Sequence, residues 1–97
     1  MTWSPEAIKD VENIGNYIAQ DSPTYAANVV DKLVDAGRKI KKFSKAGRIV
    51  PEIKHEMIRE RPIYSYRVIY RIRGEIITIA AVVHGKRSLD SVIDRFQ

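Results

Sequence analysis

One residue type, cysteine, and several motifs are missing from this 97-residue sequence, and each absence excludes a class of protein. There is no cysteine, so disulfide bonds and thiolate metal sites are excluded. The two histidines, His55 and His84, lack ligand spacing with nearby carboxylates, and we expect neither a metal nor a cofactor. No phosphate-binding glycine loop or nucleophile elbow is found. The sequence therefore gives no indication of a P-loop nucleotide-binding protein or of a serine hydrolase.

Long apolar runs are also missing. No stretch approaches the ~20 residues of a transmembrane helix, and the N-terminus "MTWSPEAIKD" does not follow a basic segment with an apolar one, as a signal peptide does. We therefore expect a soluble cytoplasmic protein with no membrane partner. The length predicts a single domain over residues 1–97.

Charge is distributed unevenly along the chain. Residues 1–37 hold two lysines and six acids, a net charge of −4, whereas residues 38–97 hold fifteen basic and six acidic residues, a net charge of +9. The C-terminal part is thus a candidate for contact with nucleic acid or an acidic protein. An ordinary solvated surface with uneven charge is the alternative.

Two helices are predicted in the first half. The segments "SPE" at 4–6 and "SP" at 22–23 each supply a capping hydroxyl followed by proline at the first helical position. Apolar residues then recur at helical spacing, which predicts helices over residues 5–20 and 23–43. Because the loop between them is short, we expect an antiparallel helical hairpin.

Strands are predicted in the second half. A short strand at 57–61 precedes Pro62, and two longer strands at 64–73 and 76–83 flank a Gly74-Glu75 turn. Residues 88–97 are amphipathic and predict a short C-terminal tail helix. The predicted fold is α+β, with the N-terminal helical hairpin packed on one face of a small twisted antiparallel sheet.

The turn at 74–75 fixes a predicted register for the hairpin, in which Ile72 faces Ile77 and Tyr66 faces Val83. Alternation then places one apolar set against the helices: Tyr66, Val68, Tyr70, Ile77, Ile79 and Ala81. The opposite face carries three arginines among apolar residues, which suits a surface that a partner covers part of the time. The alternative is an exposed face whose arginine stems lie over its apolar residues.

The order of five segments, "WSPEA", "GRIVPE", "IRE", "YRVIYRI" and "AAVVHGKR", resembles the RelE/ParE superfamily of toxins from type II toxin–antitoxin modules, over nearly the whole chain. The resemblance implies the sheet and helical hairpin described above. It also implies a cognate antitoxin partner whose C-terminal segment wraps the toxin. The implied target is either the ribosome with its mRNA or DNA gyrase.

The resemblance leaves open whether the chain is an enzyme. RelE-like members cleave mRNA on the ribosome by general acid–base chemistry, which needs cations on the developing phosphorane charge. For that activity, Arg67 and Arg87 match the phosphate-contacting arginines, and His84 is the candidate for proton transfer. The C-terminal tyrosine of that type is absent, since Ile93 stands in its place. ParE-like members inhibit DNA gyrase and are not nucleases.

Further basic residues are candidates for nucleic-acid contact: Arg59, Arg61, Arg71, Arg73 and Lys86. Two other interpretations stay open. The chain could be a non-enzymatic basic nucleic-acid-binding or adaptor domain, or an inactive relic of a toxin.

Overall fold

The structure, a computed structural model, describes residues 1–96. Its helices and strands, in chain order, are β1 (Thr2–Trp3), α1 (Pro5–Ala19), α2 (Pro23–Lys42), β2 (Arg48–Ile49), β3 (Ile58–Ile63), β4 (Tyr66–Arg73) and β5 (Ile76–His84). Short 3₁₀ turns occupy Ser44–Ala46, Leu89–Ser91 and Ile93–Phe96. The last two turns form the C-terminal tail, where a short helix was predicted.

The helix starts follow from their caps. Ser4 Oγ accepts the N–H of Ala7 at 3.1 Å, and Ser22 Oγ accepts the N–H of Tyr25 at 3.2 Å. In both helices proline follows the capping serine at the first helical position, where its missing N–H costs nothing. The predicted helical hairpin is confirmed, and each helix ends one residue before its predicted boundary.

The sheet has five strands in the order β1-β5-β4-β3-β2. The predicted α+β fold is confirmed, but the sheet is mixed rather than antiparallel throughout, because β1 pairs with β5 in parallel. The chain enters α1 directly after β1, and the Ser4 N–H donates to the Ile79 carbonyl at 2.9 Å. A strand of two residues gives no alternating pattern from which the sequence could have revealed it.

The register of the β4–β5 hairpin matches the prediction near the turn and departs from it further away. Ile72 faces Ile77 and Tyr70 faces Ile79, as predicted, but a bulge then shifts the pairing by one residue. Tyr66 therefore faces His84 and not Val83, so the predicted pairing of that half is wrong. A bulge places two residues opposite one, so it moves later side chains of β5 to the other face.

The helix-covered face of the sheet packs against α1 and α2. Its buried members are Val68, Tyr70, Ile72, Ile77, Ile79 and Val82. Ala81 was predicted on this face but lies on the opposite one, because the bulge exchanges Ala81 for Val82. Arg67 lies on the opposite face, as the sequence pattern predicts.

The other side, the tail-covered face, has a second apolar core. It consists of Ile58, Ile69, Ala81 and Val83 from the sheet, Val50 from the preceding loop, and Leu89, Val92 and Phe96 from the tail. The apolar residues between the arginines are therefore covered by the chain's own C-terminal segment. The sequence pattern indicated a covered surface correctly, but attributed the cover to a partner.

The segment after α2 approaches the sheet very closely at Gly47. A Cβ atom built there would lie 2.1 Å from the Tyr70 hydroxyl and 2.9 Å from the Glu60 carbonyl oxygen. Tyr70 in turn donates its hydroxyl proton to the Ser44 carbonyl at 2.6 Å. Glycine at this position thus allows β2 to reach the edge of β3.

Among the helices within residues 1–96, none combines the length and the apolar composition that a membrane span requires.

Candidate functional site

Arg67, predicted to hold a phosphate, is buried in a network of carboxylates on the tail-covered face. Its guanidinium donates to both oxygens of Glu52, at 2.7 and 2.8 Å. Its Nε donates to Glu60 at 2.7 Å, and its terminal Nη2 contacts the same oxygen of Glu60. Arg67 retains 7% of its exposed surface and Glu60 retains 1%. The guanidinium is therefore paired with two carboxylates, and one of these, Glu60, is almost completely buried.

The network links three elements. Glu60 lies on β3, Arg67 on β4, and Glu52 in the loop that joins β2 to β3. Arg48 of β2 also contacts Glu60. The hydrogen bonds with Arg67 lower the pKa of the Glu52 carboxyl, and those with Glu52 raise the pKa of Arg67 further above its ordinary value. Arg67 is thus permanently charged, and its charge is balanced inside the protein.

Arg59 and Arg61 do not join this network. They alternate with Glu60 along β3, so their side chains lie on the helix-covered side. Arg59 donates to the carbonyls of Lys45, Gly47 and Glu56, at 2.9 to 3.2 Å, and so fastens the segment after α2 to the sheet. Arg61 lies at the edge of β3 near Arg48.

Arg71 and Arg73 lie near the hairpin turn and line a cavity of about 190 Å³ with Arg95 of the tail. Arg71 is engaged there, because its Nη2 donates to the Phe96 carbonyl at 2.6 Å. Arg73 is exposed. Neither residue contacts the network around Arg67 through a hydrogen bond within residues 1–96.

His84 and Arg87 meet in a different place. They line a cavity of about 320 Å³ with four residues contributed by α1 and β4, and we call this the tyrosine pocket: Asn13, Ile14, Tyr17, Tyr66, His84 and Arg87. The rings of Tyr66 and His84 pack edge to face, with centroids 5.5 Å apart. The Lys86 N–H donates to His84 Nδ1 at 3.2 Å. The neutral imidazole then carries its own proton on Nε2.

The three candidate catalytic residues are therefore divided between two sites. His84 and Arg87 line the tyrosine pocket, whereas Arg67 lies in the carboxylate network. The roles assigned to them by resemblance stay predictions. The sequence reasoning also missed Asn13 and Tyr17 as neighbours of His84, because only the packing of α1 on the sheet brings these distant segments together.

The exposed apolar surface also bears on where a partner binds. Of the large apolar residues in β5, only Ile76 is prominently exposed, so this strand offers a partner little apolar surface. A shallow cavity of about 290 Å³ lies instead where β1 meets the two helices, and we call it the hairpin groove. Its lining residues are Trp3, Ile8, Val11, Glu12 and Val34. Ile8 and Val34 are about half exposed.

Within residues 1–96, no group of three or more His, Asp or Glu side chains has an arrangement that could hold a metal ion.

Comparison with known proteins places the chain among toxins. The model of the family described as the ParE toxin of the type II toxin–antitoxin system parDE matches residues 1–89. Nine chains of solved structures also match. One of them is described as the chromosomal ParDE TA system from P. aeruginosa, with a TM-score of 0.71, 19% identity, and coverage of 86% of this chain and 91% of that chain. The search of curated proteins finds no match.

Proposed function

Because the chain belongs to the ParE toxin family of type II toxin–antitoxin systems, we propose that it inhibits growth by acting on DNA gyrase and not by cleaving mRNA. Beyond the family match, this proposal rests on the hydrogen bonds that Arg67 makes inside the protein. A RelE-like nuclease needs this arginine to contact the scissile phosphate. Here the Nε, Nη1 and Nη2 atoms of its guanidinium all donate to the carboxylates of Glu52 and Glu60.

A phosphate could reach Arg67 only by displacing Glu52 or Glu60. Displacing Glu60 would leave a carboxylate without its arginine partner in a buried site, which typically costs several kcal/mol. Displacing Glu52 is less costly because its side chain is 44% exposed, but Glu60 would still repel the incoming anion. The same guanidinium that stabilises the fold is thus poorly suited to stabilise a phosphorane.

Cleavage of mRNA remains the second candidate function, and one observation favours it. His84 and Arg87 share the tyrosine pocket, so a proton-transfer group and a cation do lie near one another. General acid–base chemistry needs such a pair, but it also needs a second cation or a second proton-transfer group. Tyr66 could supply the latter only as an acid, because burial raises the pKa of its phenol.

Membership of a type II toxin–antitoxin family implies a cognate antitoxin. We propose that the apolar residues of this antitoxin bind in the hairpin groove. An amphipathic segment could place aliphatic side chains over Ile8 and Val34, and its acidic side chains would have to extend beyond the groove to reach the basic residues of 38–97, because the groove itself is lined by Glu12. Such a complex would form where both the antitoxin and gyrase are found, in the cytoplasm.

Expression in a host without the antitoxin tests the proposed target. We expect growth arrest with gyrase-linked DNA breaks, loss of supercoiling by purified gyrase when the purified protein is added, and unchanged mRNA 5′ ends. New mRNA 5′ ends that depend on translation, with gyrase activity intact, would replace the gyrase assignment with the RelE-like one.

A further inference from the structure

The tyrosine pocket combines features that a structural cavity does not need. It lies beside α1 where β4 begins and β5 ends, and its rim is open to solvent. Tyr17 projects from α1 with 71% of its surface exposed, and its ring offers a partner a large apolar contact area with a polar hydroxyl at its tip. Tyr17 and Tyr25 both lie near enough to Tyr66 to raise the pKa of its phenol, in addition to the larger effect of burial. Two of the chain's five tyrosines, Tyr17 and Tyr66, therefore line this one pocket.

The polar groups of the pocket are rich in hydrogen-bond donors. The Arg87 guanidinium makes no ion pair within residues 1–96, and no acid lines the cavity. His84 presents a donor on Nε2, since its Nδ1 already accepts the Lys86 N–H. A ligand that fits this lining carries an anionic acceptor beside an apolar or planar group.

We propose that the toxin binds its protein target through the tyrosine pocket. The bound segment of the target presents an aspartate or glutamate next to a large apolar side chain. The carboxylate pairs with Arg87 and accepts from His84, and the apolar side chain enters between Tyr17 and Tyr66. Tyrosine and arginine are the residue types that most often dominate binding at such interfaces. This inference rests on the proposed function in taking the target to be a protein.

A protein segment suits the pocket better than a nucleic acid does. A nucleotide base could stack on the tyrosines, and its phosphate could reach Arg87. However, α1 forms one wall of the pocket, and residues 1–37, which include α1, carry a net charge of −4. Because no acid lines the cavity itself, a single carboxylate can pair with Arg87 there, whereas the further phosphates of a strand would extend beyond the lining towards this acidic segment.

The tyrosine pocket is also separate from the hairpin groove, where we propose that the antitoxin binds. The hairpin groove uses Ile8, Val11 and Glu12 of α1, and the tyrosine pocket uses Asn13, Ile14 and Tyr17, so the two cavities share no lining residue. Substitutions in the pocket should therefore weaken target binding and leave antitoxin binding intact.

The test measures toxicity, gyrase inhibition and antitoxin binding for Tyr17→Ala and Arg87→Ala. For each variant we expect the amount of toxin needed to halve gyrase supercoiling to rise about tenfold or more, the range expected for residues that dominate an interface. Growth arrest should weaken in parallel, and the antitoxin affinity should stay within about twofold. Tyr17→Phe should behave like the unmodified protein, because it keeps the ring.

Two variants remote from the pocket serve as matched controls. Arg38→Ala removes an arginine whose side chain is 80% exposed, and Phe43→Ala removes an exposed ring at the C-terminal end of α2. Both should retain toxicity and gyrase inhibition. Urea unfolding of all variants checks whether a loss of activity comes from a loss of fold. We expect unchanged stability, because Tyr17 and Arg87 are exposed in the free protein.

Three results would overturn the proposal. Full toxicity of both pocket variants would show that the target does not use the pocket. An equal loss of antitoxin binding would assign the pocket to the antitoxin. Saturable binding of adenosine monophosphate, seen as shifts of the Tyr17 and Tyr66 ring resonances, would assign it to a nucleotide. If the unmodified protein arrests growth without inhibiting gyrase, the gyrase assignment fails, but the growth assay still decides whether the pocket is the target site.

Discussion

On the helix-covered face of the sheet the buried side chains are apolar apart from one phenol, whereas the tail-covered face combines an apolar core with a buried ion network. Val68 and Tyr70 belong to the first face, and Arg67 and Ile69 alternate with them on the second. Adjacent positions of one strand thus enter two different environments. The first face depends mainly on apolar burial, and the second depends on burial together with buried charge pairs.

The contrast bears on which residues remain free for function. Two of the three arginines on the tail-covered face stabilise the fold, since Arg67 binds Glu52 and Glu60 and Arg71 binds the Phe96 carbonyl, whereas Arg73 is exposed near the hairpin turn. Arg87, an exposed cation that a partner could reach, lies beyond β5 and beside α1. A row of arginines on a strand is therefore an unreliable indication of an anion-binding surface when acids from other elements can reach it.

The largest effect should come from placing a charge on the helix-covered face. Val68 is fully buried, and Val68→Asp would leave a carboxylate without a partner there, at a cost of several kcal/mol. That is a large share of the roughly 5–15 kcal/mol by which a small domain is stable. We expect loss of soluble folded protein, measured by yield and circular dichroism. Ile76→Asp is the matched control, because Ile76 is exposed, and an equal loss there would contradict the explanation.

The next largest effect should come from breaking the ion network on the tail-covered face. Arg67→Ala leaves Glu60 buried without its main partner, and such a change typically costs about 3–5 kcal/mol in urea unfolding. The sequence analysis treated Arg67 only as a candidate phosphate contact. Its burial shows that it also stabilises the fold.

A double variant separates the two explanations for any loss. Arg67→Met with Glu60→Leu removes both buried charges, and the remaining partners, Arg48 and Glu52, are exposed enough to be solvated. We expect it to unfold within about 1–2 kcal/mol of the unmodified protein, since apolar replacements of buried ion pairs are often neutral. If it is as unstable as Arg67→Ala, the cost arises from lost packing and not from an unpaired carboxylate.

The sequence predicted the helix-covered face well because that face follows local rules. Serine caps and helical spacing located α1 and α2, and the Gly74-Glu75 turn fixed the first half of the hairpin register. These signals lie within a few residues of the structures they specify.

The rest could not be predicted, because it depends on contacts between distant segments. Asp10 Oδ2 accepts the Val82 N–H at 2.9 Å, and Arg95 donates to the Ala80 carbonyl at 3.0 Å, so residues from α1 and the tail support the bulge in β5. Neither Asp10 nor Arg95 is near β5 in sequence. The partners of Arg67 and the neighbours of His84 are distant in the same sense, and no alternating or helical pattern reports them.

A smaller effect should follow from separating Asp10 and Arg95, which join the two faces around the bulge. Their charged atoms are 2.7 Å apart and both side chains are mostly buried. A double-mutant cycle with Asp10→Ala and Arg95→Ala should give a coupling free energy of about 0.5–3 kcal/mol. Asp10→Asn should retain part of the stability, because its amide oxygen can still accept the Val82 N–H. Additive single effects would mean that the pair does not act jointly on the bulge.

The smallest effect should appear as a pH dependence of the tail-covered face. Hydrogen bonds from Arg67 hold the pKa of Glu52 below its ordinary value of 4.5, so the folded state binds this proton less readily than the unfolded state does. The resulting stability is fully present above about pH 4.5 and is lost as the pH falls through the lower, folded-state pKa. Because Glu52 is partly exposed, its contribution should be within the roughly 0.2–1 kcal/mol typical of solvated pairs. Urea unfolding between pH 3 and 7 should show that Glu52→Gln is less stable than the unmodified protein at neutral pH and that the difference narrows in acid. Glu75→Gln, at the exposed hairpin turn, is the control and should keep the acid-dependent loss unchanged; a difference for Glu52→Gln that stays constant across this range would remove the carboxylate's charge from the explanation.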